Sequence, residues 1–256
     1  MTNLEDQIQK TYAPRRQFLK ATLSGIAGGL VYLMGGNLFA APDDLDLPID
    51  PRSRQRAVEQ TPPPPAWVGD DRPTFFGEAI YGAQQTIVYV IDRSGSMREV
   101  MGTGVDLQGR VRPMTRFQRG QIELKRSIMA LAPNMRFNIV SYDCSVMAWQ
   151  RGLVAATPEN KREAYNWIDG LYPLGGTGTG MGVAYALRSE ENRDVVLLTD
   201  GYPTCSLTIP EHRSMIQRCN PDRKRIHVFG ISAHGPFREF CVRVASDSGG
   251  SYHDVR

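Results

Sequence analysis

The sequence predicts an α/β fold: a doubly wound, mainly parallel sheet with one antiparallel edge hairpin and helices on both faces. Short apolar runs alternate with stretches in which apolar residues recur at helical spacing, as in parallel sheets covered by helices. Several of the runs are apolar throughout, which is typical of strands buried on both faces. Two runs are separated by only three residues, a connection that suits an antiparallel hairpin and is too short for a crossover.

The first half of the predicted fold begins near residue 86. Thr86–Ile91 is rich in β-branched residues and is predicted to be a buried strand. Apolar residues between positions 117 and 131 recur at helical spacing and predict an amphipathic helix. Arg136–Tyr142 and Val146–Trp149 are the two runs that form the hairpin.

The second half continues the alternation. A helix is predicted to begin at Pro158, because Thr157 is a suitable N-cap and proline is favoured in the first turn. The remaining predicted elements are strands at residues 195–199 and 226–232, a last helix from Pro236, and an edge strand at residues 251–255.

The first 41 residues have the pattern of an export signal. The motif has two adjacent arginines, one spacer residue and then three further residues. Its members are Arg15, Arg16, Phe18, Leu19 and Lys20. The motif is similar to the twin-arginine export signal of bacteria. That resemblance implies handling by the twin-arginine translocase and a periplasmic or cell-surface location beyond the inner membrane. Residues 21–41 carry no charge, so residues 1–41 are predicted to be either a cleaved signal peptide or a retained membrane anchor.

Residues 42–74 are predicted to be a proline-rich linker. Four consecutive prolines at positions 62–65 favour an extended chain and cannot contribute to a core. Residues 75–256 therefore form the predicted folded domain.

Composition excludes several classes of protein. The chain has 256 residues, 41% of them hydrophobic, as expected for a globular domain with an ordinary apolar core. Thirty basic residues against 27 acidic ones leave a formal charge of +3, which gives no reason to expect nucleic acid as a partner. Four cysteines are too few for a disulfide-built scaffold.

A D-x-S-x-S motif follows the first predicted strand. Asp92, Ser94 and Ser96 place one carboxylate and two hydroxyls on a single tight loop. These are hard oxygen ligands, which suit Mg²⁺ or Mn²⁺, and the absence of nearby His or Cys in the sequence argues against zinc.

Two further segments add oxygen ligands. Thr177 follows a Gly-Gly pair, and Asp200 directly follows the apolar run that ends at Thr199. Because ligands of such sheets bind beyond the carboxyl ends of the strands, these residues are expected near Asp92.

Together and in this order, the three segments resemble the von Willebrand factor A domain and its metal-ion-dependent adhesion site. The resemblance covers the region from about residue 75 to residue 256. It implies a divalent cation, Mg²⁺ or Mn²⁺, held by Asp92, Ser94, Ser96, Thr177 and Asp200. It also implies a protein partner that presents an Asp or Glu side chain to the cation. Thr179 is a rival for the threonine position.

The function predicted from these residues is that of an exported, non-enzymatic binding module. A P-loop is excluded because no lysine follows the glycines, and no G-x-S-x-G serine-hydrolase elbow is present. Cys205, His212 and Cys219 match no common zinc spacing. Two alternatives remain: a metal-independent periplasmic scaffold or assembly factor, and a Mg²⁺-dependent hydrolase.

Two further expectations concern segments beside the predicted metal loop. Residues 97–115 form a long connection on the same face, in which Arg98, Arg110 and Arg112 could hold an acidic partner. Cys205 and Cys219 are the expected disulfide pair, since an exported protein meets an oxidising compartment. Cys144, at the predicted hairpin tip, is a competing partner.

Overall fold

The computed structural model describes residues 73–80 and 85–256. The predicted export signal, the uncharged segment at residues 21–41 and all but the end of the predicted linker lie outside the described residues. No helix in the described ranges combines the length and the apolar character needed to cross a bilayer.

Eleven strands and five α-helices are assigned in the described residues. The strands are β1 Thr74–Phe75, β2 Glu78–Ala79, β3 Thr86–Asp92, β4 Val100–Val105, β5 Val111–Thr115, β6 Arg136–Tyr142, β7 Val146–Ala148, β8 Val154–Ala155, β9 Asp194–Thr199, β10 Arg225–Ile231 and β11 Tyr252–Val255. The helices are α1 Arg116–Ala130, α2 Pro158–Asp169, α3 Thr179–Leu187, α4 Ile209–Arg218 and α5 Gly235–Ser248. A short 3₁₀ turn at Gly95–Arg98 follows β3.

The predicted fold class is confirmed by the sheet topology. The main sheet has the order β11-β10-β9-β3-β6-β7, with β8 pairing with β6. Pairing is parallel from β11 through β6, and β6–β7 is the predicted antiparallel edge hairpin. The register aligns Ile91 of β3 with Leu198 of β9 and Asp92 with Tyr142 of β6, so these strands end at the same edge.

Apolar side chains cover both faces of the sheet. Odd positions of β3, among them Ile87 and Tyr89, face a core shared with α1 and α2. Even positions, among them Val88 and Val90, face a second core shared with α3, α4 and α5. The alternation follows from the two-residue period of a strand, and it buries β3 on both faces.

Capping residues set where the helices begin. The side chain of Thr157 accepts a hydrogen bond from Asn160 N, and Pro158 lies in the first turn, as predicted. Thr115 caps α1 in a reciprocal arrangement with Gln118. These bonds satisfy backbone N–H groups that a helix start otherwise leaves without partners.

The predicted connection at residues 97–115 is a β-hairpin that follows the 3₁₀ turn. β4 and β5 pair antiparallel and form their own two-stranded sheet. Asp106 stabilises the turn, because its carboxylate accepts hydrogen bonds from the backbone N–H groups of Gln108 and Arg110. Gly109 adopts a positive φ of 79°, which glycine tolerates without a side-chain clash.

The prediction of a Cys205–Cys219 disulfide is wrong. Cys205 is bonded to Cys144, the competing partner, with their Cα atoms 5.4 Å apart. Cys219 is the C-cap of α4, exposed and unbonded. The β6–β7 hairpin tip and the segment after β9 lie at the same sheet edge, and this shared position brings the two bonded cysteines together despite 61 residues of separation.

We expect the disulfide to contribute strongly to stability. A bridge across 61 residues restricts the unfolded chain by about 4 kcal/mol in the chain-entropy model. Replacing both Cys144 and Cys205 by serine should lower the free energy of unfolding by a few kcal/mol, measured by urea denaturation. Cys219→Ser is the matched control and should change it little. Equal stability of the double variant and the control would contradict the assignment.

Candidate metal centre

The five predicted ligand residues meet at the carboxyl edge of the main sheet. Asp92 is the last residue of β3, and Asp200 directly follows β9, its parallel neighbour. Ser94 and Ser96 follow Asp92 in the 3₁₀ turn region, and Thr177 precedes α3. The backbone N–H of Gly95 donates to Gly175 O at 2.9 Å, which joins the first of these loops to the second.

Asp92 is completely buried and hydrogen-bonded on both carboxylate oxygens. Its Oδ1 accepts from Ser94 N at 2.8 Å. Its Oδ2 accepts from the hydroxyl of Thr199 at 2.6 Å and from that of Tyr142 at 3.2 Å. Burial, followed by the nearby charge of Asp200, raises the pKa of Asp92 to about 7, because these two effects outweigh the hydrogen bonds that favour the charged form.

A chain of hydroxyls connects the first loop to Asp200. The hydroxyls of Ser94 and Ser96 lie 3.1 Å apart, and the Ser96 hydroxyl donates to Asp200 Oδ1 at 2.9 Å. Burial also raises the pKa of Asp200, although Arg116 and Ser96 act in the opposite direction. The centre thus holds two carboxylates whose burial is not fully offset by their neighbours.

Arg116 is a site residue that the sequence analysis missed. Its Nη1 donates to Asp200 Oδ2 at 2.8 Å, and its Nη2 lies 2.6 Å from a carboxylate oxygen of Glu99. Arg116 is the first residue of α1, directly after the Thr115 cap. The threonine cap indicates the helix start from the sequence, but the ion pair joins residues 84 positions apart and has no local sequence signal.

Thr177 is better placed than Thr179 for the threonine position. A Cβ built on Gly201 would lie 3.7 Å from Ser96 Oγ and 3.9 Å from Thr177 Oγ1, so both hydroxyls border the same point beside Asp200. The hydroxyl of Thr179, in contrast, is fully buried and lies 3.4 Å from the hydroxyl of Tyr142.

The ligand set suits a hard divalent cation. Three hydroxyls and two carboxylates meet with no sulfur or imidazole among them, which matches the preferences of Mg²⁺ and Mn²⁺. Within the described ranges, no group of three or more His, Cys, Asp or Glu side chains is arranged to hold a metal.

Residues of the rejected zinc pattern have other roles. Cys205 is part of the disulfide, and His212 Nδ1 accepts a hydrogen bond from Gly180 N at 3.0 Å. Burial lowers the pKa of His212 and favours its neutral form.

Arg98, Arg110 and Arg112, which were expected to hold an acidic partner, also have partners within the chain. Arg98, in the 3₁₀ turn, donates to Pro173 O, and Arg110 and Arg112 both pair with Asp106 in the β4–β5 hairpin.

Comparison with known proteins identifies the family. A profile of the von Willebrand factor type A domain matches residues 121–254, just over half of the chain. The chain belongs to this family. The matched range contains Thr177 and Asp200 and begins after the D-x-S-x-S loop. Domains of this family commonly mediate protein–protein interaction or adhesion.

Curated relatives are much longer than the matched region. Human inter-alpha-trypsin inhibitor heavy chain H4 is 26% identical over 189 residues, which cover 69% of this chain and 19% of the relative. Human von Willebrand factor A domain-containing protein 3A is 31% identical over 121 residues, which cover 46% of this chain and 10% of the relative. The chain thus spans a fifth or less of these two proteins.

Solved structures share the fold. A von Willebrand factor type A protein from Catenulispora acidiphila aligns with a TM-score of 0.56 and 20% identity, covering 68% of this chain and 39% of that protein. The pilus adhesin SpaC from Lactobacillus rhamnosus GG aligns with a TM-score of 0.52 and 16% identity, covering 67% of this chain and 28% of that protein. At these identities the likeness shows the fold alone.

We expect Thr199→Val to destabilise the metal-free protein in a pH-dependent manner. The pKa of Asp92 is about 7 when folded and 3.8 when unperturbed. Between these values the folded state retains a proton that the unfolded state has lost, so stability falls as pH rises. The Thr199 hydrogen bond lowers this pKa, and its loss should cost about 1–3 kcal/mol where Asp92 is charged.

Urea denaturation at pH 5 and pH 8.5 checks this expectation. Thr199→Val should lower the free energy of unfolding more at pH 8.5 than at pH 5, because Asp92 in the folded state is charged at pH 8.5 and protonated at pH 5. Thr103→Val, at an exposed position of β4, is the control. An equal loss at both pH values would contradict the role of Thr199.

Proposed function

We propose that this chain is an exported, non-enzymatic binding module whose affinity for an acidic group of a partner protein depends on a divalent cation. Asp92, Ser94, Ser96, Thr177 and Asp200 would hold the cation, Mg²⁺ or Mn²⁺. The bound cation would supply a coordination position that accepts a carboxylate oxygen from the partner. The observation that supports this most directly is the meeting of two buried carboxylates and three hydroxyls at one sheet edge.

The charges of the centre favour a cation first and an anionic partner second. When ionised, Asp92 and Asp200 together with Arg116 carry a total of minus one, and Glu99, which pairs with Arg116, adds a further negative charge, so the centre attracts a cation. A divalent cation would leave the two buried carboxylates and Arg116 with a total of plus one. Solvent screens the charge of the exposed Glu99 more than it screens those of the buried groups. A carboxylate of the partner would then meet the positive charge of the buried groups.

Exposed apolar side chains near the centre offer further contact area. Tyr172 and Leu174 are exposed in the segment that leads to Thr177, and Tyr202 is exposed two residues after Asp200. Leu174 is attached to the first loop, because its N–H donates to Arg93 O. Aromatic residues are enriched in protein–protein interfaces, so the exposed Tyr172 and Tyr202 support a protein partner.

The metal part of the proposal predicts a specific loss of cation binding. Calorimetric titration of the purified chain with Mg²⁺ or Mn²⁺ should show binding. Loss of an outer-shell partner typically lowers metal affinity roughly 10- to 100-fold, and Asp92→Asn should lower it by more than that. Asp222→Asn changes an exposed aspartate outside the centre and is the control.

The same titration separates the alternatives. No binding by the wild-type chain would favour the metal-independent scaffold. Metal-dependent turnover of ester substrates by the same sample would favour the hydrolase.

The export part of the proposal rests on the sequence motif alone. In a bacterial host with the twin-arginine pathway, Arg15→Lys combined with Arg16→Lys should leave the protein in the cytoplasm, because lysine does not reproduce the geometry of guanidinium contacts. Cell fractionation measures the distribution. The matched control exchanges Arg52 and Arg54 for lysine in the predicted linker. Unchanged export of the first variant would exclude this route, and the mass of the exported protein would decide between cleavage and a retained anchor.

A further inference from the structure

The Cys144–Cys205 disulfide lies against the loop that carries Thr177. A Cβ built on Gly176 would lie 2.9 Å from each of the two sulfur atoms and 2.8 Å from Thr204 Oγ1. Such distances are shorter than real Cβ contacts allow. Glycine at position 176 therefore lets the metal-centre loop pack directly on the bridge.

Backbone hydrogen bonds connect both ends of the bridge to Thr177 and its neighbour. On the Cys205 side, Thr177 N donates to Thr204 Oγ1 at 2.9 Å, and Thr177 O accepts from the N–H groups of Thr204 and Cys205. On the Cys144 side, Gly178 N donates to Asp143 O at 2.8 Å. Thr177 thus lies between two segments that are 61 residues apart in the chain and are joined directly by the disulfide.

The Cys144 side also touches the first loop of the centre. Asp143 forms an ion pair with Arg93, which lies between Asp92 and Ser94, at 3.0 Å. Both side chains are nearly buried, so the contact is well shielded from solvent. All three loops of the centre are therefore attached to the two bridged segments.

We propose that the Cys144–Cys205 disulfide is a clamp that holds Thr177 in the metal centre and makes the cation affinity of the centre depend on the redox state of the bridge. This inference rests on the function proposed above. The cysteines act through Thr177 and its loop, so they are positioning residues. Without the bridge, the hairpin tip and the segment after Asp200 separate more easily, and Thr177 loses its fixed position.

The bridge is open to reduction by a dithiol. Cys144 is exposed at the hairpin tip, whereas Cys205 is buried. A thiolate of the dithiol attacks one sulfur, and the S–S bond breaks. The second thiolate of the reagent then attacks the reagent's own sulfur in the mixed disulfide, and the S–S bond to the protein breaks as the remaining cysteine leaves as a thiolate. After protonation, Cys144 and Cys205 are two thiols and the dithiol is a cyclic disulfide. Two electrons and two protons pass from the dithiol to the protein.

The test compares Mn²⁺ affinities of the full chain by calorimetry on a Cys219→Ser background, which removes the exposed free thiol. The oxidised protein should bind Mn²⁺. The variant with Cys144→Ser and Cys205→Ser should bind roughly 10- to 100-fold more weakly, the loss typical of a removed outer-shell support. The background protein, reduced with dithiothreitol that is then removed anaerobically, should match the double variant.

Gly176→Ala tests the clamp with the disulfide intact. Its new methyl group pushes the loop away from the bridge, so Mn²⁺ affinity should fall in the same direction. Gly152→Ala is the matched control, because a Cβ there meets no atom within 4 Å, and its affinity should be unchanged. Circular dichroism establishes that each variant is folded; if the double variant is not, the two glycine variants decide the test.

Amide hydrogen exchange provides a readout that needs no metal. Exchange at Thr177 N and Gly178 N, whose hydrogen bonds reach the two bridged segments, should accelerate at least about 10-fold on reduction of a folded protein. Unchanged exchange at both amides would overturn the clamp.

The outcomes separate the two proposals. Equal Mn²⁺ affinity of the oxidised and reduced proteins would overturn the clamp and leave the proposed function intact. Absence of Mn²⁺ binding by the oxidised protein would overturn the metal-dependent function, and the redox control of affinity with it. Weaker binding by both the bridge variant and Gly176→Ala, with Gly152→Ala unchanged, would support the clamp.

Discussion

Parallel pairing of β3 with β9 places two carboxylates, Asp92 and Asp200, side by side in a buried position, and the surrounding polar structure compensates for their charge. Burying a charge is costly unless hydrogen bonds or an opposite charge replace the lost water. Asp92 accepts hydrogen bonds from the hydroxyls of Thr199 and Tyr142 and from a backbone N–H. Asp200 accepts hydrogen bonds from the hydroxyl of Ser96 and the guanidinium of Arg116. The raised pKa values of both carboxyl groups indicate that this compensation is incomplete.

The β4–β5 hairpin determines how Arg116 reaches the centre. Val100 at the start of β4 pairs with Thr115 at the end of β5, and Thr115 is also the N-cap of α1. The backbone N–H of Arg116 donates to Glu99 O, so the helix begins against the end of the 3₁₀ turn. The hairpin lies between the loop of Asp92, Ser94 and Ser96 and the start of α1 in the sequence. It therefore fixes the start of this helix beside Asp200.

The two sides of the centre are held by different kinds of interaction. On one side, an ion pair connects α1 to Asp200, and its strength depends on the charges present in the centre. On the other side, a covalent bridge and short backbone hydrogen bonds hold the loop of Thr177. If the centre binds a cation as proposed, the charge-dependent side would respond to it, while the proposed clamp would keep the geometry of the covalent side for as long as the disulfide persists.

The sequence by itself determined the order of the main-sheet strands β3, β6, β7, β9, β10 and β11 and of the helices α1, α2 and α5. It also determined the Thr157 cap and the residues at the ends of β3 and β9, because these follow from local periodicity and from motifs within a few positions. It did not determine that residues 97–115 form a hairpin, since glycines and a proline interrupt the alternation there. The Cys144–Cys205 bridge and the Arg116–Asp200 ion pair were decided only by tertiary structure. Their partners lie 61 and 84 residues apart, and they meet because the parallel sheet brings the ends of β3, β6 and β9 to one edge.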